Sequence, residues 1–257
     1  ENFRGVHAVR VLKGQKDFTL DKLIDVAYDP YLPAFEVLIP SLLAAYDGQK
    51  TDAQTQEALQ VLRDWDMTVS TDSVAMSIAH FYGSKLFKTV DTPKGLSRME
   101  ATYYYANKLS DQAQRTVFAQ TLAKMDADFG AWNTPWGQIN RFQRPNGGIK
   151  LTFDDTAPSL PVGMASGRWG ALAAYGQRGK VTTKKIYGTR GNSFVAVVEF
   201  GDKVKAKTLL AGGQSGDPNS PHFYDQAQTY ADHTFKDVAY YKADVNARAQ
   251  RTYHPGE

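Results

Sequence analysis

Residues 188–201 read GTRGNSFVAVVEFG, and this stretch indicates the architecture of the second half of the chain. β-Branched and aromatic residues fill the segment Ser193–Phe200, as is typical of a strand. A second alternating run covers Val204–Leu210, and the Gly201-Asp202 pair between the runs favours a II′ turn with Gly first. The stretch therefore predicts two antiparallel strands joined by a tight turn.

Upstream of this hairpin, the first half of the chain has the periodicity of helices. Apolar residues recur there at spacings of three and four, as in the run from Leu20 to Ala27. Ser, Thr and Asp side chains can cap helix starts because they accept hydrogen bonds from the free N–H groups there. The predicted helices begin near Thr19, Pro33, Thr51 or Asp52, and Asp72, and two more cover residues 96–108 and 111–129.

The character of the sequence changes after Phe129, where Gly and Pro become frequent. Helices come first and strands come second, and this order predicts an α+β architecture in which a helical first half is followed by antiparallel strands. We divide the chain into a mainly helical part, residues 1–131, and a strand-rich part, residues 132–257. The total of 257 residues is ample for a buried core.

Composition excludes several classes of function. The chain has 30 basic and 27 acidic residues, and the net charge of +3 is too small and too dispersed to predict a nucleic-acid partner. No apolar run approaches the roughly 18 residues that span a bilayer. The absence of cysteine excludes a thiol nucleophile and a disulfide, and the five histidines form no HExxH pair that would predict zinc. We expect no required cofactor.

Three segments carry side chains suited to catalysis or binding. Trp132–Arg144 contains Trp, Arg and Asn residues, and an Asn amide either stabilises a developing oxyanion or forms a turn. Arg168 precedes Trp169, where it either clamps a carboxylate or stacks on the indole at the surface. Asp154 and Asp155 are candidate cation ligands or turn caps. Chemistry alone leaves these alternatives open.

A glycine-rich loop, Gly212–His222, carries a further set of candidates. We predict that Ser220 caps a short helix that opens with Pro221. A glycine loop before a helix can bind phosphate, but this one lacks the Lys-Ser/Thr pair of a Walker A sequence and the spacing of a GxSxG elbow. Ser215 with His222 is a candidate pair of nucleophile and base.

Four stretches of the sequence together resemble one known family. They are residues 188–201, residues 212–226 (GGQSGDPNSPHFYDQ), Phe3–Arg10 (FRGVHAVR) and Trp136–Arg141 (WGQINR). They cover nearly the whole chain, and along it they follow one another as in the C-terminal part of the β subunit of the penicillin-acylase (penicillin amidase) family, which they resemble. The resemblance is strongest to acylases that cleave acyl-homoserine lactones, acylated lipopeptides or β-lactam side chains.

This resemblance implies a linear-amide hydrolase with part of the αββα sandwich of the N-terminal-nucleophile hydrolases. A precursor would cleave itself into α and β subunits, and the freed N-terminal Ser of the β subunit would be the nucleophile. Its α-amino group would be the base, since the pKa of such a group is about 7.7–8.0. The resemblance also implies a periplasmic or secreted enzyme that acts on an antibiotic or a quorum-sensing signal, with a structural calcium ion as in some relatives.

The resemblance gives roles to two side chains of this sequence. Asn140 matches the side-chain oxyanion donor, and Arg168 matches the arginine that holds active-site groups in place. The second oxyanion donor, a backbone N–H, comes from upstream segments. Residue 1 is Glu instead of Ser, Cys or Thr, so we interpret the chain as a nicked or truncated piece, or as a separate chain whose remainder lies in another polypeptide. Its partners would be the α subunit and the N-terminal part of the β subunit, and alone it should be inactive.

The resemblance also bears on the remaining candidates. His222 would fix the glycine-rich loop by hydrogen bonding, and Tyr31 and Phe35 are candidates for the wall of an acyl pocket. Two alternatives come from other classes. The chain could be a non-catalytic binding or scaffold module that retains the acylase C-terminal fold, or a serine hydrolase that uses Ser215 and His222.

Overall fold

The structure, a computed structural model, describes residues 1–146, 151–179 and 182–254. The chain forms two compact units. The first comprises residues 1–15 and 26–192, and the second comprises residues 16–25 and the chain from Ser193 onward. The sequence suggests a different division, after residue 131, where helices give way to strands. That division stays a prediction.

Several helices of the first unit begin at side-chain caps. Asp52, Ser73, Ser97 and Ser110 each accept a hydrogen bond from the backbone N–H three residues on. The six predicted helices (α2 to α7) are confirmed, whereas α1 is an addition that the periodicity did not predict. Helices α1 to α8, of which α2 contributes residues to both units, are Phe3–Leu12, Leu20–Ala27, Phe35–Ala44, Ala53–Arg63, Val74–Thr89, Arg98–Lys108, Asp111–Phe129 and Trp136–Ile139.

The core of the first unit lies between α3, α5 and α7. Leu38 and Leu42 of α3, Tyr82 of α5, and Phe118 and Leu122 of α7 are all fully buried. The Tyr82 and Phe118 rings meet edge to face, with their centroids 6.1 Å apart. Burial of each such side chain contributes about 1.5–3 kcal/mol relative to leaving it in water. Packing therefore fixes α5, which carries part of the candidate site.

Short strands follow these helices in the first unit. β1 lies at the centre of a three-stranded sheet, antiparallel to β2 and parallel to β4, and β3 pairs with β5 in antiparallel fashion. The predicted antiparallel pairing is thus confirmed except between β1 and β4, whose long connection permits the crossover that a parallel pair needs. Strands β1 to β5 are Asn140–Phe142, Leu160–Pro161, Tyr175–Gly176, Ile186–Tyr187 and Arg190–Gly191.

The second unit contains the predicted hairpin. Strands β6 (Phe194–Glu199) and β7 (Lys205–Leu210) are antiparallel, and Glu199 lies opposite Lys205. The two strands are confirmed. The predicted two-residue turn is wrong, because the pairing of Glu199 with Lys205 leaves the five residues 200–204 as the connection. The Val204 N–H donates to the Tyr241 hydroxyl at 2.8 Å instead of extending the ladder. The unit also holds α9 (Ala227–Ala231), β8 (Lys236–Asp237), which pairs with β7, and α10 (Lys242–Arg248).

The helix predicted to open at Pro221 does not form. The Ser220 hydroxyl accepts the N–H of His222 at 3.2 Å, and the Ser220 carbonyl accepts the N–H of Phe223 at 3.0 Å. His222 would be the second residue of the predicted helix, so the hydroxyl contact is one that a capping Ser can make, but residues 221–226 form turns and bends instead of a helix. The next helix begins only at Ala227.

Candidate active site

A single helical turn positions Asn140. The N–H groups of Trp136 and Gly137 donate to the carbonyls of Ser73 and Thr71, at 3.1 and 2.7 Å. A Cβ at Gly137 would lie 2.8 Å from the Cβ of Thr71, so this close approach requires glycine. The turn therefore leads directly into β1, with Asn140 as the first residue of the strand.

Two backbone carbonyls hold the Asn140 side chain. The residue is 1% exposed, and its Nδ2 donates to the carbonyl oxygens of Val162 and Met164, both at 2.9 Å. These two bonds engage both hydrogens of the amide nitrogen. The amide oxygen, Oδ1, is buried and has no hydrogen-bond partner in the part of the chain that the structure describes. Buried acceptors are normally paired, so the unpaired Oδ1 is an exception among the buried polar atoms.

Arg168 is a partly buried cation between two aromatic rings. Its guanidinium carbon lies 5.3 Å from the ring centroid of Phe87 and 5.4 Å from that of Trp169, a stacking geometry. Among the described residues no carboxylate pairs with it, and its Nε is buried without a partner. Burial, and then the charges of Arg98 and Arg190, lower the pKa of Arg168 to about 10. The orienting role of Arg168 stays a prediction.

Arg168→Met should make the purified chain more stable by about 1 kcal/mol at neutral pH. The pKa of the folded-state guanidinium lies below its ordinary value, so its positive charge opposes folding at any pH below about 10. The ring contacts offset part of this cost, and methionine keeps much of the apolar stem. Urea unfolding measures the change, with the exposed Arg178→Met as the control that should stay within about 0.5 kcal/mol. A clear loss of stability in Arg168→Met would contradict the description of an unpaired charge.

Asn140 and Arg168 meet at the wall of one cavity of about 480 Å³. Aromatic side chains, including Phe81, Trp136 and Tyr175, form much of the rest of the wall. This volume and this mixture of apolar walls with a few polar groups are typical of small-molecule sites. Asn140 and Arg168 come from different segments of the sequence, and the structure places both of them at this cavity.

Cations outnumber carboxylates around this cavity. Arg168, Arg190, Lys124 and Lys184 contribute to its wall. Among the described residues of the wall, Asp128 is the carboxylate, and it already pairs with Lys124 one helical turn away. An excess of positive charge attracts ligands that carry a carboxylate or several oxygen acceptors.

His80 lines the same cavity, and the sequence patterns did not single it out. Nε1 of Trp169 donates to Nδ1 of His80 at 3.2 Å. Since an indole N–H can only donate, Nδ1 is the acceptor and the ring proton lies on Nε2. Burial, and then the positive charge of Arg168, lower the pKa of His80 to about 3. His80 is therefore a neutral imidazole in one tautomer.

The His80 ring should stay neutral, with its proton on Nε2, from pH 8 down to about pH 4. ¹⁵N-detected NMR of the histidine side chains distinguishes the tautomers and follows their titration. The unfolded chain takes up a proton near the ordinary pKa of 6.5, whereas the folded chain does not until about 3, so stability should fall as the pH drops between these values. His80→Phe should remove this part of the pH dependence. A His80 ring that titrates near pH 6.5 would contradict the assignment.

Gly83 shows why the sequence did not reveal the contact between His80 and Trp169. A Cβ at Gly83 would lie 2.6 Å from Cη2 of Trp169, so this glycine, one turn after His80 on α5, makes room for the indole. A glycine inside a helical pattern does signal a packing constraint. It does not indicate which distant residue packs there.

Ser215 and His222 hold the shape of the glycine-rich loop. The Ser215 N–H donates to the carbonyl of His222 at 3.0 Å, and the Ser215 hydroxyl accepts the N–H of Asp217 at 3.1 Å. The His222 ring pairs through Nδ1 with the Asp225 carboxylate at 2.8 Å, on a side chain that is 68% exposed. These contacts agree with the prediction that His222 fixes the loop.

Asp154 and Asp155 cap turns. Oδ1 of Asp154 accepts the N–H and the hydroxyl of Thr156, at 2.8 and 2.7 Å. The Asp155 carboxylate accepts the N–H groups of Lys184 and Lys185, at 2.8 and 3.3 Å. Across the described residues, no group of three or more His, Asp or Glu side chains is arranged to hold a metal ion. The structural calcium ion of some relatives stays an untested expectation for this chain.

Tyr31 and Phe35 pack away from the cavity. Phe35 is fully buried, and its ring centroid lies 5.0 Å from that of Trp169. The Tyr31 hydroxyl donates to Oε1 of Glu36 at 2.8 Å. Neither residue is among the described residues of the cavity wall, so the acyl-pocket role suggested for them gains no support.

Comparison with known proteins decides the family. The family model for penicillin amidase matches residues 1–247. The chain belongs to the penicillin amidase family. This result confirms the resemblance that the four sequence stretches carry.

Two relatives show how much of a penicillin amidase the chain represents. It is 24% identical over 260 residues to the acyl-homoserine lactone acylase PvdQ of Pseudomonas putida, a match that covers 95% of this chain and 30% of that protein. It also matches the structure of the thermostable penicillin G acylase from Alcaligenes faecalis with a TM-score of 0.51 and 17% identity, covering 98% of this chain and 52% of that chain. The chain thus spans about half of one relative, and less of the other.

The structural match shows the fold of this penicillin amidase chain. Helices followed by small, mostly antiparallel sheets match the N-terminal-nucleophile hydrolase fold of the Alcaligenes enzyme, as predicted. Within the described residues, none of the helices combines the length and the hydropathy that a bilayer crossing requires.

Proposed function

We propose that this chain supplies one wall of the active site of an amide hydrolase that removes an acyl group from an amine. The observation that carries the proposal is the meeting of Asn140 and Arg168 at one aromatic cavity, in a chain of the penicillin amidase family. Both relatives bear the name acylase, which supports an acyl amide as the substrate.

The nucleophile in this proposal is the N-terminal Ser of the β subunit, outside these 257 residues. The chain spans only part of each relative, and this supports placing the Ser in the remainder of the enzyme. The Ser oxygen attacks the amide carbonyl carbon while the Ser α-amino group takes the hydroxyl proton. The C–N bond then breaks, the amine leaves with that proton, and water hydrolyses the acyl-Ser ester. Alone, the 257 residues would be inactive.

Asn140 is the donor to the oxyanion in this scheme. A neutral N–H aimed at the developing charge acts strongly in a buried site, because no solvent has to reorganise around it. In the present arrangement both N–H groups of Asn140 bond backbone carbonyls, so one of them must turn to the oxyanion. Arg168 would orient acceptor groups through its unpaired charge.

The cavity supports a substrate with two kinds of surface. Rings of Phe81, Trp136 and Tyr175 favour an apolar portion, and the excess of Lys and Arg favours a carboxylate or several carbonyl oxygens. Amides of β-lactam nuclei, acyl-homoserine lactones and lipopeptides offer both. The proposal includes maturation by self-cleavage into two subunits and a location in the periplasm or outside the cell.

The experiment that tests the function is an amine-release assay on the complete enzyme. N-acyl-homoserine lactones of several chain lengths, a penicillin with an aromatic side chain and an acylated lipopeptide are incubated with it. Mass spectrometry then detects the free amine and the free acid. We expect cleavage of at least one substrate, and none by the isolated 257-residue chain. A mature enzyme with an N-terminal Ser, verified by intact mass, that cleaves none of them would favour the non-catalytic scaffold.

A further inference from the structure

Trp136 and Asn140 share one acceptor. The carbonyl oxygen of Met164 accepts Nδ2 of Asn140 at 2.9 Å and Nε1 of Trp136 at 3.0 Å. The carbonyl oxygen of Val162, which also holds Asn140, has no second donor in the described part of the chain. The two carbonyls that fix the Asn140 amide are therefore not equivalent.

This difference determines which N–H of Asn140 can leave its carbonyl. Val162 and Met164 are both buried, so neither carbonyl is open to bulk water. Removing the single donor of a buried acceptor costs more free energy than removing one donor from an acceptor that has two. When Asn140 turns away, the Met164 oxygen keeps its bond to Trp136, whereas the Val162 oxygen would keep none. The N–H directed at Met164 is thus the one available to a developing negative charge.

Trp136 is held firmly enough to keep the Met164 carbonyl occupied. The indole is fully buried, and the ring of His80 packs against it with the centroids 4.8 Å apart. Trp169 in turn fixes His80 through the bond to Nδ1. The Trp136 backbone is also anchored, since its N–H donates to the carbonyl of Ser73.

We propose that Trp136 is a positioning residue for the amide hydrolysis. By holding the Met164 carbonyl, it allows Asn140 to turn one N–H from that carbonyl to the oxyanion. The inference rests on the proposed function, in which Asn140 is the oxyanion donor. Trp136 acts in this role through Met164 and not through the reacting atoms.

Trp136→Phe in the complete enzyme tests this inference. The substitution deletes the indole N–H, so Met164 competes with the oxyanion for the Asn140 amide, and kcat should fall about tenfold. KM should change less than kcat, because the phenyl ring still contributes to the apolar wall and the competition matters only when the charge develops. In the Asn140→Ala background the same substitution should lower kcat no further. A merely structural role would lower kcat by the same factor in both backgrounds.

Two further variants keep the test decisive. Trp65→Phe is the matched control, because Nε1 of Trp65 also donates to a backbone carbonyl, that of Thr68 at 2.8 Å, away from Asn140. It should leave kcat unchanged. If Trp136→Phe does not fold, Trp136 is replaced by 3-benzothienylalanine, in which sulfur takes the place of the N–H and the ring shape is retained. The same tenfold loss is expected there.

The outcomes separate this inference from the proposed function. An equal loss of kcat in both backgrounds, or an unchanged kcat in a folded variant without the indole N–H, overturns the role of Trp136. The proposed function survives either result. An unchanged kcat in Asn140→Ala overturns the role of Asn140 as oxyanion donor and the inference with it, whereas the absence of amide cleavage by the complete enzyme overturns the proposed function.

Discussion

Replacing Asn140 by Ala in the complete enzyme is expected to lower kcat by about 10²–10³-fold, as does the loss of an oxyanion donor elsewhere. KM should change little, because the donor acts on the charge of the transition state and not on the bound substrate. The Val162 carbonyl also loses its donor, which should cost about 1–3 kcal/mol of stability. Steady-state kinetics at a temperature where the variant stays folded, verified by circular dichroism, measures the effect.

The matched control for this variant is Asn133→Ala. Asn133 belongs to the same Trp-rich segment but is exposed, so its removal should leave both kcat and stability near the wild-type values. An Asn140→Ala enzyme with full turnover would show that its amide serves only to hold the Val162 and Met164 carbonyls.

Trp169→Ala should destabilise the protein by about 3–5 kcal/mol, the usual cost of truncating a fully buried Trp. Trp169 is 0% exposed and packs on Phe35, with ring centroids 5.0 Å apart. It also fills the space over Gly83 and donates to His80, so the substitution opens a cavity and removes a hydrogen bond. Urea unfolding followed by far-UV circular dichroism measures the loss of stability.

Two other substitutions calibrate this prediction. Trp169→Phe keeps one ring but removes the N–H, so it should cost less than Trp169→Ala and should release His80 from its single tautomer. Tyr103→Ala removes an aromatic ring that is 42% exposed and should cost much less. A loss below about 1 kcal/mol in Trp169→Ala would contradict the packing around α5.

The helices and the long strands could be predicted because local physics determines them. Apolar residues at helical spacing between caps such as Asp52 and Ser110 predict α4 and α7. Helix α1 escaped prediction because it buries only Phe3 and His7, which is too few for an apolar stripe. Strands β1 to β5 contain two or three residues each, too few for a period of two to be visible.

The two turns that were wrong depend on contacts outside the local sequence. The tight hairpin turn gave way to a longer loop because the Tyr241 hydroxyl takes the N–H of Val204. The helix at Pro221 gave way to a turn within a loop whose Ser215 N–H donates to the His222 carbonyl. Neither partner is near enough in the chain for a turn pattern to indicate it.

The candidate site divides in a similar way. Asn140 and Arg168 were singled out by motif resemblance. Their chemistry alone was also compatible with a turn-forming Asn and with an Arg that stacks on a Trp at the surface. His80 could not have been found, because the partner that fixes its tautomer, Trp169, lies far away in sequence. The Met164 carbonyl oxygen accepts two hydrogen bonds. It is a backbone atom, so the residue type at position 164 does not indicate this contact.

The most direct test is a structure of the complete enzyme with a tetrahedral analogue of the acyl-transfer intermediate, such as a boronic acid, on its N-terminal Ser. The analogue oxygen that stands in for the oxyanion should lie 2.7–3.1 Å from Nδ2 of Asn140, the range expected for an oxyanion donor. Met164 should then retain only its bond from Trp136. An Asn140 amide still bonded to both carbonyls, with the oxyanion held by other groups, would contradict the account.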